Sequence, residues 1–236
     1  MQKNNYAANK SYVKKISDSL ANIIFPHICL VCKKRLLDKK QVICASCEKK
    51  FAVKRLSAPE NFKKFHLDSS NSVFIYQEPV SSLICLFKYK AKLSLGNFFG
   101  QKMVEYIKNF PLLNNIDIIV PIPLHQKRLR EREFNQAEIL AGIISREYNF
   151  KLESKAIVRI HMKNVQSSLK KDKRFENIKG AFKIKQDIFR NKNILLVDDV
   201  FTTGATLSEA ALTLKEAGAS QVRAFTLART INENIA

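Results

Sequence analysis

A chain of 236 residues can hold one α/β domain with a small satellite, or two modest domains, and a third full domain is excluded. Hydrophobic residues at 46%, with 16 Phe, supply the apolar mass of a core and exclude global disorder, while 6 Gly and 6 Pro exclude fibrous and linker-rich classes. A formal charge of +20 repels itself in a compact state and calls for anionic company such as phosphates, nucleic acid or acidic lipid.

At the N-terminus, Asp18, Asn22, Pro26 and His27 interrupt the most apolar stretch, so no window reaches the roughly 18–20 apolar residues of a membrane span. Ile23-Ile24-Phe25 is too short for a signal-peptide core. The expectation is a cytoplasmic protein with no membrane insertion.

Four cysteines follow as Cys29-x2-Cys32, eleven residues, then Cys44-x2-Cys47. This is zinc-ribbon spacing: two tight turns aim four thiolates at one tetrahedral ion with no open position, so the metal is structural. Two disulfides or a thiol redox centre compete, the first disfavoured by the lack of an export signal and the second needing only one pair. Residues 1–68, with a net +10, are read as a basic zinc-ribbon-like module whose missing core the metal replaces. Its Phe51, Phe62 and Phe65 either stack bases of a single strand or pack the module onto its neighbour. The polar stretch from Pro59 to Asn71 reads as a linker, and Cys85, in an apolar run, as a buried small hydrophobe with no role.

From Ser72 onward short β-branched runs alternate with helical periods: strand 73–76, helix 93–110, strand 116–120, helix 135–148, strand 194–197, helix 207–217 ended by Gly218, and strand 222–227. The alternation predicts an α/β fold with a parallel sheet over residues 69–236.

Between the last helix and its preceding strand lies Asp198-Asp199-Val200-Phe201-Thr202-Thr203-Gly204-Ala205-Thr206, at the carboxyl edge where such sheets bind ligands. Helix-start N–H groups and the hydroxyls of Thr202, Thr203 and Thr206 make a phosphate cradle, Gly204 lets backbone come close, and Thr206 with Glu209 fits a capping box. The two acids suit ribose hydroxyls as acceptors, with a divalent cation nearby. A Walker A loop and a dinucleotide loop are absent, and a receiver domain would need a further Asp, which does not occur after Asp199.

The run from Ile194 to Thr206 resembles the phosphoribosyl-pyrophosphate (PRPP) motif of type I phosphoribosyltransferases, and the four-cysteine module before it is similar to the ComF family of competence proteins. A second signature is Val120-Pro121-Ile122-Pro123-Leu124-His125 with Arg128, Leu129, Arg132 and Phe134-Asn135-Gln136-Ala137; a third is Arg159 with Gln166, Leu169, Arg174, Asn177 and Gly180-Ala181-Phe182. The chain departs from the pattern at Ala91, Lys163 and Glu133, the last standing where glycine precedes Phe-Asn-Gln.

The resemblance implies a type I phosphoribosyltransferase fold behind a zinc module, with Asp198, Asp199, Thr202, Thr203, Gly204, Ala205 and Thr206 on PRPP. It implies a pyrophosphate loop of His125, Lys127, Arg128 and Arg132, a mobile loop bearing Gln166 and Arg174, and Mg²⁺ with the pyrophosphate. The cysteine ligands are Cys29, Cys32, Cys44 and Cys47. The implied role is DNA uptake during natural transformation, handling imported single-stranded DNA beside competence and DNA-import proteins. The alternative is an active phosphoribosyltransferase moving ribose 5-phosphate from PRPP to an unidentified nitrogenous acceptor. No residue identifies that acceptor.

Overall fold

The computed structural model describes residues 26–38, 40–51, 53, 63–89, 93–110, 112–160 and 178–230. Two compact units divide at Ala52/Val53. The expected boundary at 68/69 therefore falls inside the second unit, where Phe65 and Leu67 are buried in the same core as Ala210 and Leu214. In the first unit the described chain turns through the four cysteines, with one short α-helix, α1 (Ala45–Glu48), that carries the last of them, and Phe51 fully buried.

In the second unit, β1 (Ser69–Ile75) leads to α2 (Val80–Tyr89) and α3 (Leu93–Asn109). Then come β2 (Ile118–Pro121), α4 (Gln126–Arg132), α5 (Gln136–Tyr148), β3 (Lys151–Leu152) and the pair β4 (Ile157–Arg159) and β5 (Phe182–Ile184). The chain ends on β6 (Asn193–Phe201), α6 (Ala205–Glu216) and β7 (Gln221–Arg229). Since β1 begins at Ser69, the stretch read as a linker is partly strand; Asp68 accepts the Val222 N–H at 2.7 Å beside it.

Five strands form a parallel sheet in the order β1-β7-β6-β2-β3, and β4-β5 is a separate antiparallel ribbon. The central strand β6 is apolar and buried from Ile194 to Val197, as a strand covered on both faces must be. Ile194 and Leu196 join the core under α6. On α3, Gly96 and Gly100 sit against Ile139 and Ile143 of α5 so closely that a Cβ at either position would collide. This close approach seats α5 and the residues at its start.

The chain leaves β2 toward β3 on one side and leaves β6 toward β7 on the other, so their carboxyl ends flank a switch point, the usual ligand crevice of an open α/β sheet.

Candidate functional site

A cavity of about 250 Å³ opens at that switch point. The pleat of β6 turns Asp198 and Asp199 to opposite faces of the sheet, and both reach the cavity because it wraps over the strand end. Thr202, Thr203, Ala205 and Thr206 line it from the turn into α6, and Arg128 and Arg132 from one face of α4. Lys88, Gln136 and Arg159 complete its polar wall.

Asp198 accepts the Asp199 N–H at 2.8 Å, and the Lys88 Nζ lies 2.8 Å from the Asp199 carboxylate. Burial, and next the charge of Asp199, push Asp198 up to about 7. Burial pulls the Arg159 guanidinium below its ordinary value and repulsion from Arg128 adds to that, whereas Asp198 acts the other way.

Gln136 is 1% exposed; its Oε1 accepts from Arg132 at 3.3 Å while its Nε2, buried at the cavity, has no partner among the described residues. The Arg132 guanidinium also reaches the Tyr89 hydroxyl at 3.3 Å and covers that ring. Asn135 has a structural use: its side chain accepts the Ala137 N–H at the start of α5 and donates to the Ile122 carbonyl, tying this helix to the end of β2. Glu133 adopts φ +67°, a left-handed conformation that explains why glycine suits this position.

Three expected residues sit outside the cavity. Gly204 has φ +79°, but a Cβ there would meet Phe201 and Phe65 at 2.7 and 2.8 Å, so the glycine serves packing beneath the turn. The His125 ring nitrogen accepts the Lys127 N–H at 3.2 Å as a cap of α4, and the Lys127 side chain is exposed. Gln166 and Arg174 lie outside the described residues. The capping box does not form: Gly204 begins α6, no side chain caps it from there, and Glu209 instead accepts the Gly180 N–H at 2.6 Å.

Lys88 and Gln136 are the additions that sequence reasoning missed as site residues. Gln136 stands in the quoted Phe134-Asn135-Gln136 signature and Lys88 in none of them, and only the fold brings the two to the acids and arginines.

In the first unit the Sγ atoms of Cys29, Cys32, Cys44 and Cys47 lie within 4.8 Å of one another, a group able to hold a metal ion. Cys29 Sγ accepts the Cys44 N–H at 3.3 Å, a bond that directs the sulfur inward. The Ser46 hydroxyl, more than any other neighbour, draws the Cys44 thiol down to about 6, whereas burial and the other three sulfurs push Cys47 up to about 12. Four thiolates packed this closely repel one another, and a bound cation relieves that repulsion. One other expectation fails: Cys85 is exposed. Phe51 and Phe65 are buried, which favours packing over base stacking for both rings, and Phe62 lies outside the described residues. No helix among the described residues is long and apolar enough to cross a membrane.

Residues 135–234 match the phosphoribosyl transferase domain. The chain is 31% identical over 206 residues to Competence protein ComFC of Bacillus subtilis, covering 86% of this chain and 78% of that protein. It is 31% identical over 159 residues to the DNA utilization protein YhgH of Escherichia coli K12, covering 66% and 70%. Among solved structures, the purine phosphoribosyltransferase from Pyrococcus horikoshii aligns with a TM-score of 0.34 at 17% identity, over 57% of this chain and 83% of that one. With its four-cysteine cluster, its parallel sheet and this level of identity over most of its relatives' length, the chain belongs to the ComF family of competence proteins.

Proposed function

We propose that this protein binds PRPP at the switch-point cavity and acts in DNA uptake, handling imported single-stranded DNA in the cytoplasm. One observation carries the reading: a single cavity is acidic where β6 ends, rich in hydroxyls at the start of α6, and basic along α4. Asp198 and Asp199 accept from the ribose hydroxyls, the turn from Thr202 to Thr206 holds the 5-phosphate, and Arg128 with Arg132 holds the pyrophosphate. The buried Gln136 Nε2 is a donor awaiting an acceptor, which a phosphate oxygen supplies.

The family supports the DNA role, since relatives carry the names competence protein and DNA utilization protein. The basic first 68 residues, at +10, suit a nucleic-acid backbone. Zinc is the metal we assign to the cysteine cluster. A tetrahedron with Zn–S bonds of about 2.3 Å has S···S edges of about 3.8 Å; Cys32 and Cys44 stand at 3.6 Å.

The arginines of α4 favour a second reading, transfer of ribose 5-phosphate to a nitrogenous acceptor, because they face the place a departing pyrophosphate needs. Mg²⁺ would neutralise that leaving group; the described residues offer it carboxylates and no all-protein cage, as suits an ion held largely by ligand oxygens and water. Arg159 lines the same cavity and helps to balance the charge of the bound anion.

A thermal-shift titration with PRPP and Mg²⁺ tests the binding claim. Saturation at about 100 times Kd adds about 2.7 kcal/mol, a shift of roughly 5–10 °C. Pyrophosphate release across a panel of nucleobases separates turnover from binding alone.

A further inference from the structure

A second hollow, of about 460 Å³, lies between the turn after β2 and the β4-β5 ribbon, and it shares Leu124, Asn135 and Arg159 with the first cavity. The PRPP reading makes no use of it. Its cations are Lys155, Arg159 and Lys185, and Glu138 is the one acid among its described lining residues. The Arg159 Nε is buried with no hydrogen-bond partner among the described residues. Apolar side chains also line it: Leu129 and Ile160 border the hollow and remain 41% and 44% exposed. Gln126, Glu138 and Ser154 add hydrogen-bonding groups to the lining.

An apolar wall alone would fit an alkyl chain, and cations alone an inorganic anion. Apolar surface broken by hydrogen-bonding side chains, next to a cluster of cations, fits a flat heterocycle that carries a phosphate. The volume lies within the roughly 300–1,000 Å³ of small-molecule sites. We propose that this hollow is a nucleotide subsite, with the phosphate on Lys155, Lys185 and Arg159 and the base against Leu129 and Ile160. The nucleotide comes either free or as one unit of a single strand, and the phosphate-plus-base chemistry is common to both.

The test titrates the full-length protein with dAMP, deoxyadenosine and a short oligo(dA), and titrates PRPP in parallel. The expected result is saturable binding of dAMP, of oligo(dA) or of both, weaker binding of deoxyadenosine, and at least a tenfold loss in the Lys155→Gln/Lys185→Gln variant with PRPP affinity unchanged. A free nucleotide is the source if dAMP binds as well as the oligomer, and a strand if only the oligomer binds. A control variant, Lys108→Gln/Lys192→Gln, removes equal charge from exposed positions elsewhere and keeps binding. No saturable binding, equal loss in the control, or one-for-one displacement of dAMP by PRPP overturns the proposal. Because Lys155 and Lys185 lie outside the first cavity, failure of PRPP to bind leaves this result readable on its own.

Discussion

The Lys88 Nζ sits 2.8 Å from the Asp199 carboxylate, and both side chains are mostly buried, at 18% and 12% exposed. The pair joins α2 to the end of β6 and holds a cation against Asp199. Removing the lysine leaves a poorly solvated carboxylate uncompensated. Lys88→Met should destabilise the fold by about 2 kcal/mol and weaken PRPP binding, while Lys88→Arg keeps most of both. Thermal melts and calorimetry check this; a Lys88→Met protein with wild-type stability would show that the pair is inconsequential.

Asp198 gives the stability a pH dependence of known sign. Its folded value, about 7, lies above the ordinary 3.8, so between those values the folded state holds a proton that the unfolded chain has shed. Stability from this group is full below about pH 4 and lost as pH rises through 7. Asp198→Asn, which still accepts the Asp199 N–H, should gain about 2 kcal/mol over wild type at pH 8, roughly 4–8 °C in Tm, and converge with it near pH 4. PRPP affinity of the wild type should rise with pH over the same window, as the acceptor becomes ionised. Parallel melting curves at all pH values would place the carboxyl in water.

At the turn into α6, Gly204→Ala adds a Cβ against two phenylalanine rings at a backbone angle that alanine adopts poorly. The expected loss is about 2–4 kcal/mol, read by denaturant unfolding. A neutral result would mean that Phe65 and Phe201 yield freely.

For the first unit, elemental analysis should find one zinc per chain, and Cys47→Ser should lose it and unfold the segment from 26 to 51, visible as increased proteolysis there. Retention of zinc by that variant would contradict a four-sulfur site.

Much of the site was legible because the sequence packs it into contiguous segments. The acids and the threonine turn are one run of nine residues on a strand and helix that local pattern alone defines. Arg128 and Arg132 share a helix face by spacing. The cysteine spacing was equally local. What escaped was non-local. Lys88 meets Asp199 across more than one hundred residues, and Gln136 became a candidate only when α5, seated by Gly96 and Gly100, turned its first residue into the cavity. Gly204 was misread for a related reason: a glycine in a phosphate-type turn looks the same in sequence whether a ligand or two rings press on it. Cys85 shows the limit of an apolar run, since on α2 the helical period carries Ile84 and Phe87 inward and leaves the thiol outside.

The account turns on the acids at the end of β6. Calorimetric titration of PRPP with Mg²⁺ into wild type and Asp198→Asn/Asp199→Asn, with both shown to be folded by their melting curves, tests it most directly. Stoichiometric binding to wild type and a loss of about a hundredfold in the double variant is the expected result. Equal affinity for the two proteins, or no heat from either, would contradict it.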